Sequence, residues 1–278
     1  MRQIYLTLGA VIRNQEHYVK EWLTFHHLIG VERFVVVLHK CEDATEEKIR
    51  ELPFQDKIHV HRFVHDEQYI QKETYLWILK HYGSFTKWLT FIDSDEFFFG
   101  TREDDLCVIL ADYEKHGGLA VHWLEFGSNG HTVKPKVLSI EAFTKRAVDR
   151  HHCHWSFKSV IQPKCFRKIF SAHLFDTWPR TVTEDHREVG ADWIWIGNRP
   201  PTHEIVRVNH YHTRSMEDWV LRYRQGQCNE PGDQQDSEHL YHSRNFKWRD
   251  HEDVHDTCIL RFAGPLRNLL GLSDISLL

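Results

Sequence analysis

Apolar and polar positions alternate in blocks along the first half of this chain, with short runs of branched and aromatic residues separated by stretches of helical period. The runs Ile4–Ile12, Arg33–Leu38 and Trp88–Ile92, with another near Leu119–Trp123, are largely apolar, and Ile58–Phe63 alternates Ile, Val and Phe with polar residues. Runs of both kinds read as strands, the largely apolar ones buried on both faces. Between them, Glu16–Ile29 places Val19, Trp22, Leu23, His26 and Leu28 on roughly one helical face and stops at Gly30. Asp43–Leu52 opens with an acidic turn and ends before Pro53, and Asp66–Tyr82 carries Tyr69, Ile70, Leu76, Ile78 and Leu79 and stops at Gly83. Strands alternating with helices over short joints predict an α/β fold, a mostly parallel sheet with helices on both faces.

After about residue 125 the periodicity gives way to aromatic, His-rich and turn-rich sequence. Gly127-Ser128-Asn129-Gly130 reads as a loop, Trp178-Pro179-Arg180 and Arg199-Pro200-Pro201 as breaks, and Gln225–Asp236 as a polar stretch. Asp256–Phe262 followed by Leu266, Leu269 and Leu270 reads as a closing helix with an apolar face. The expected organisation is one domain over residues 1–215 and a helical C-terminal extension over 216–278 packed on it.

Composition narrows the function classes. With 278 residues, 41% of them hydrophobic and 27% charged, the chain can bury a sizeable core. A net charge of -5 gives no general attraction to nucleic acid. No apolar run reaches the roughly 18 residues of a membrane span, and Met1–Ile12 runs directly into charged sequence, so a cytoplasmic protein is expected. Six cysteines without a CxxC pair fit reduced thiols. Twenty-three histidines raise a zinc reading at His59/His61, His152/His154 and His210/His212. Without paired cysteines or a His-Glu-x-x-His helix, a polar loop or half-buried strand is the expectation for His151-His152-Cys153-His154-Trp155.

The chemistry concentrates where the strand through Phe91 and Ile92 ends in Asp93-Ser94-Asp95-Glu96. In an extended strand residues i and i+2 share a side, so Asp93 and Asp95 are expected to converge on one ligand at the carboxyl end of the sheet. Ligands of open α/β sheets bind at that end. Paired hard oxygens suit Mg²⁺ or Mn²⁺ bridging the phosphates of a nucleotide.

Arg13-Asn14-Gln15-Glu16 with Tyr18, Glu21-Trp22 and His26, then Gln71–Tyr75, Asp93-Ser94-Asp95-Glu96-Phe97 and Trp123-Leu124-Glu125-Phe126-Gly127-Ser128 follow one another along the chain. Lys158 with Ser159 and Ile161, His173, and Asn209-His210-Tyr211-His212-Thr213-Arg214-Ser215 complete the series. In this order the residues resemble glycosyltransferase family 92 and its bacterial family-2-like relatives, with Arg214 where that family usually has Lys. The resemblance implies a GT-A type fold, with a Rossmann-like sheet, and transfer of a hexose, most plausibly galactose, from a UDP-sugar to a glycan hydroxyl with inversion. It also implies assembly of a surface polysaccharide or similar glycoconjugate.

On that reading a divalent ion at Asp93 and Asp95 offsets the charge that builds on the departing diphosphate. His210 or His212 supplies a further ligand and tilts the site towards Mn²⁺. Arg214 contacts phosphate, and the turn carrying Arg13, Asn14 and Glu16, with Gln71 and Asp93, faces the nucleotide. The plainer roles are a helix cap for Asn14 and Glu16, a solvated acid for Glu21 and a core aromatic for Trp22. An inverting reaction also needs a carboxylate base, for which Asp185 is favoured over Glu125 and Glu184. The alternatives are a metallohydrolase or nucleotidyl-transferring enzyme, and a non-catalytic glycan- or nucleotide-binding protein of the same fold.

Overall fold

A computed structural model of the protein describes residues 3–63, 70–190, 200–225 and 244–273. Asp66–Tyr69 of the expected third helix, Arg199, and Gly226–Asp236 of the polar stretch lie outside the described residues. The first half follows the predicted order: β1 (Ile4–Ile12), α1 (Val19–Leu28), β2 (Arg33–His39), α2 (Thr45–Arg50), β3 (Ile58–Phe63), α3 (Ile70–Tyr82) and β4 (Thr86–Phe91). Then come β5 (Glu96–Gly100), α4 (Leu106–Ala111), β6 (Gly118–Glu125), α5 (Ser139–Ala142), β7 (Lys145–Arg146), β8 (Phe157–Ile161), β9 (Phe166–Ile169), β10 (Phe175–Thr177) and β11 (Thr181–Thr183). The chain continues through β12 (Val206–His210), α6 (Met216–Gln225), α7 (Arg244–Arg249), β13 (Val254–His255) and α8 (Ala263–Leu270).

The main sheet runs β3-β2-β1-β4-β8-β6-β12-β5, with β11 beside the start of β6. β1 to β4 are mutually parallel where they pair, β6 is parallel to β12, and only β8 and β5 run against their neighbours. The architecture is therefore the mixed, mostly parallel α/β sheet that the strand–helix alternation predicts.

Alternation along the buried strands sends side chains to two cores. Leu6, Leu8, Ala10 and Ile12 of β1 join Phe34, Val36 and Leu38 of β2 against α1, while Val11, Val35 and Val37 face Tyr75 and Ile78 of α3. Gly9 is required on the α3 side, because a Cβ there would stand 2.9 Å from the Phe91 ring. α8 closes the α1 side, with Leu266 and Phe262 entering the same core and Phe262 packing edge-on to Phe25 at 5.4 Å. The C-terminal extension thus shares the core of the sheet. Among the described residues no helix is long and apolar enough to cross a membrane.

Two acids expected on the surface or in the site hold the scaffold instead. Glu21 is buried and accepts from the Ser139 amide and hydroxyl, both at 2.8 Å, which anchors the start of α5 to α1. Glu184 is buried after β11 and accepts the amides of Glu204, Ile205 and Val206 at 2.8, 2.9 and 2.9 Å, fixing the entry to β12. Asp185 next to it is exposed and binds its own hairpin, through the Thr183 hydroxyl and Arg187. Val206 and His210 are the two ends of β12, so Glu184 is held about 13 Å of strand away from the imidazole at its other end. Glu184 is thus engaged in the scaffold at the start of β12.

The role of Glu184 has a direct consequence for stability. Carboxylate hydrogen bonds contribute about 1.5–3 kcal/mol each, and two of the three here are partly solvated. Glu184→Ala is therefore expected to lower unfolding free energy in urea by about 2–3 kcal/mol. A change below about 0.5 kcal/mol would show that the loop holds itself.

Candidate active site

The chain reverses direction between β4 and β5 in a tight turn, in which the Glu96 amide donates to the Asp93 carbonyl at 3.0 Å. This segment is a turn rather than a continuing strand, and the two carboxylates take separate partners. Asp93, partly exposed, accepts from Gln71 Nε2 at 3.0 Å and from Lys158 Nζ at 2.6 Å. Asp95 is buried, accepts from Arg222 Nη2 at 2.5 Å and lies 3.8 Å from His210 Nε2.

Strand register assembles the rest. β12 lies between β6 and β5, and its last residue, His210, is opposite Glu125 on one side and Glu96 on the other. His210 Nδ1 bonds Glu125 Oε2 at 2.8 Å, which turns Nε2 towards Asp95. A carboxylate behind an imidazole fixes its tautomer and orientation, the arrangement that supports histidine ligands of metal ions. Glu125, fully buried and with its other oxygen 3.5 Å from Arg249, is committed to that role and is not placed as the expected base.

Two residues on, His212 Nδ1 is 2.9 Å from Arg222 Nη1. A guanidinium only donates, so this imidazole nitrogen accepts and carries no proton. The ligand atoms of Asp95, His210 and His212 lie within 4.8 Å of one another. One carboxylate and two imidazoles form a donor set for a borderline divalent ion such as Mn²⁺. Arg222 already bonds two of the three and brings a positive charge to their meeting point, so the residues fit a cation.

The electrostatics follow from burial and pairing. Burial alone would raise Asp95, but Arg222, His210 and Arg214 outweigh it and hold the carboxyl well below the usual range. Burial likewise opposes ionisation of Glu125, and His210 brings it down to about 2. Burial would lower His210, yet Glu125 and Asp95 raise it above the ordinary imidazole value. His212 is pushed well below that value by burial and Arg222. Lys158 is buried and is kept charged by Asp93 and Glu96. Glu96 accepts the Asp93 amide at 2.8 Å through Oε2, while Oε1 is buried without a hydrogen-bond partner, and burial pushes this acid up to about 8.

Around this centre the predicted nucleotide residues line the carboxyl ends of β1 and β4. Arg214, at φ 48°, donates to Gln15 Oε1 at 2.8 Å and to the Ser94 carbonyl at 2.6 Å, with its guanidinium 3.8 Å over the Tyr18 ring. It ties the β1–α1 loop to the acidic turn. Arg13 donates to the Gln225 carbonyl at 2.7 Å. Asn14 and Glu16 accept the amides of Glu42 and Ala44 at 2.8 and 3.0 Å, so they pin the β2–α2 loop and neither caps α1. Trp123 is half-buried between the His210 and His173 rings, at 4.3 and 5.2 Å between centroids.

Sequence reasoning missed Arg222, Glu96 and the part played by Lys158. Lys158 left a trace, a lone cation in the apolar run Phe157–Ile161. Arg222 left none, since it sits among several charges of α6.

No family model matches the chain. It is 25% identical over 207 residues to a glycosyltransferase family 92 protein from Oryza sativa subsp. japonica, covering 73% of this chain and 32% of that protein. It is 32% identical over 214 residues to a family 92 protein from Ricinus communis, covering 74% of this chain and 35% of the other. The chain spans about a third of the length of these curated relatives. Among solved structures it is similar to S. aureus TarS 1-349, at TM-score 0.43 and 14% identity over 85% of this chain and 69% of that one. The same fragment in complex with UDP gives TM-score 0.40 and 13% identity, again over 85% and 69%. In sequence, the chain is a relative of the glycosyltransferase family 92 proteins.

Proposed function

We propose that the chain is a metal-dependent glycosyltransferase that moves a hexose, galactose in the first instance, from a UDP-sugar to a glycan hydroxyl with inversion. The observation that carries this reading is the meeting of Asp95, His210 and His212 at the carboxyl end of the sheet, with Glu125 orienting His210. Kinship with the family 92 proteins supports the reaction class.

Each residue then has a task. Asp95, His210 and His212 would hold the ion, with Mn²⁺ favoured over Mg²⁺ by the two imidazoles. When bound, the ion supplies Lewis-acid stabilisation of the charge on the departing diphosphate. Arg214 and Arg13 carry permanent positive charge on the same rim, where a guanidinium can meet phosphate oxygens in a bidentate way. Their present bonds to a backbone carbonyl and a glutamine are neutral and can be exchanged for a stronger charged partner. Lys158 holds Asp93 in place and keeps the buried acids of the turn from repelling one another. Trp123, beside His210, offers an apolar ring face against which a sugar can pack.

The reading separates from hydrolysis or passive binding in one panel. UDP-galactose should raise the melting temperature only when Mn²⁺ is present, and the galactosyl group should appear on a glycan acceptor rather than as free sugar. Mn²⁺-dependent release of free galactose with no glycan product would favour a hydrolase instead.

Two variants probe the ion site. Asp95→Asn keeps shape but loses a charged ligand, and should weaken Mn²⁺ binding by at least about 100-fold, because loss of an outer-shell partner alone typically costs 10–100-fold. Mn²⁺ affinity equal to the parent's in a calorimetric titration would remove Asp95 from the site. Glu125→Gln should keep the fold and weaken Mn²⁺ about 10-fold or more through the misoriented His210. If instead transfer collapses while Mn²⁺ affinity is unchanged, Glu125 acts on the acceptor and not on the imidazole.

A further inference from the structure

On the loop after β7, the ligand atoms of three consecutive residues, His151, His152 and Cys153, lie within 4.8 Å of one another. A strand would send consecutive side chains to opposite faces. Here the chain winds into a 3₁₀ turn over His152–Trp155, with His151 at its N-terminus and the Cys153 amide donating to His151 Nδ1 at 3.4 Å. The turn gathers the three donors on one side.

Their spacing suits a metal ion. His152 Nε2 and Cys153 Sγ are 3.6 Å apart. A nitrogen at about 2.0–2.1 Å and a sulfur at about 2.3 Å from one tetrahedral ion also stand about 3.6 Å apart. A third imidazole stands nearby, since the His251 ring lies 4.2 Å from that of His151 between centroids. His251 Nε2 is buried with no hydrogen-bond partner, and leaving such an atom unsatisfied costs about 1–3 kcal/mol. His152 is exposed and Cys153 only half-buried, so an ion has access.

We propose that His151, His152 and Cys153 form a second metal site that takes Zn²⁺. Imidazole and thiolate donors without a carboxylate select a softer ion than Asp95, His210 and His212 do, so the two sites have different preferences. Binding replaces the S–H bond with a Zn–S bond and releases the proton to solvent.

Cobalt makes the site visible, because Co²⁺ takes the same tetrahedral ligands and its bond to thiolate absorbs by charge transfer in the near ultraviolet. Metal-free full-length protein titrated with Co²⁺ should develop this band, and Zn²⁺ should abolish it. Asp95→Asn should keep the band, which separates this site from the one proposed for the donor. Cys153→Ser should lose it, and His152→Ala, at an exposed position, should weaken Co²⁺ binding at least about 10-fold. A parent without the band, or Cys153→Ser with undiminished absorbance, would overturn the proposal.

Discussion

Asp95, Glu96 and Glu125 are buried at one end of the sheet with Asp93 half-exposed beside them, and the need to neutralise these acids governs everything packed around them. Desolvating a carboxylate costs several kcal/mol, which only a close cation or an excellent set of donors offsets. Lys158 answers Asp93 and Glu96 from the antiparallel strand β8, Arg222 answers Asp95 from α6, and His210 answers Glu125 from within β12. Removing one partner of such a pair typically costs about 3–5 kcal/mol, because the other is left charged and buried. A divalent cation would take the place of Arg222 against Asp95 and His212.

Backbone geometry brings these groups together, and small changes would part them. His210 meets both Glu96 and Glu125 only in the observed register of β5, β12 and β6, since a one-residue slip would turn its side chain to the opposite face. The Trp22 indole donates to the Glu96 carbonyl at 2.9 Å, so the aromatic expected in the core also locks the start of β5 to α1. Glu184 fixes the other end of β12. The acidic turn is held from its outer side by Arg214, whose left-handed backbone directs the guanidinium across the Ser94 carbonyl onto Tyr18.

Much of this was legible in the sequence. Apolar runs located β1, β2, β4 and β6 within two residues at each end, because buried strands leave little polar alternation, and the alternating edge strand β3 was bounded as Ile58–Phe63. His210 and His212 stood out as alternate residues beside the donor-rich Asn209–Ser215 segment, and the structure brings both to Asp95. Asp93 and Asp95 were read from strand periodicity, whereas the residues that carry them form a turn and each acid meets its own cation. Glu125, Glu184 and Asp185 were weighed as bases from their positions along the chain. Whether an acid faces a substrate, an imidazole or three amides depends on contacts 20 to 85 residues away, which no local pattern records. The same holds for His151–Cys153, read as a polar loop until the turn gathered its side chains.

The central claim is that Asp95, His210 and His212 together hold the ion that a nucleotide diphosphate joins. The most direct measurement is a crystal grown with Mn²⁺ and UDP, with diffraction recorded at the manganese absorption edge. The account predicts one anomalous peak within bonding distance of the Asp95 carboxylate and both imidazoles, shared with a diphosphate oxygen. A diphosphate bound by arginines alone, with no anomalous peak and Arg222 still seated on Asp95, would contradict it.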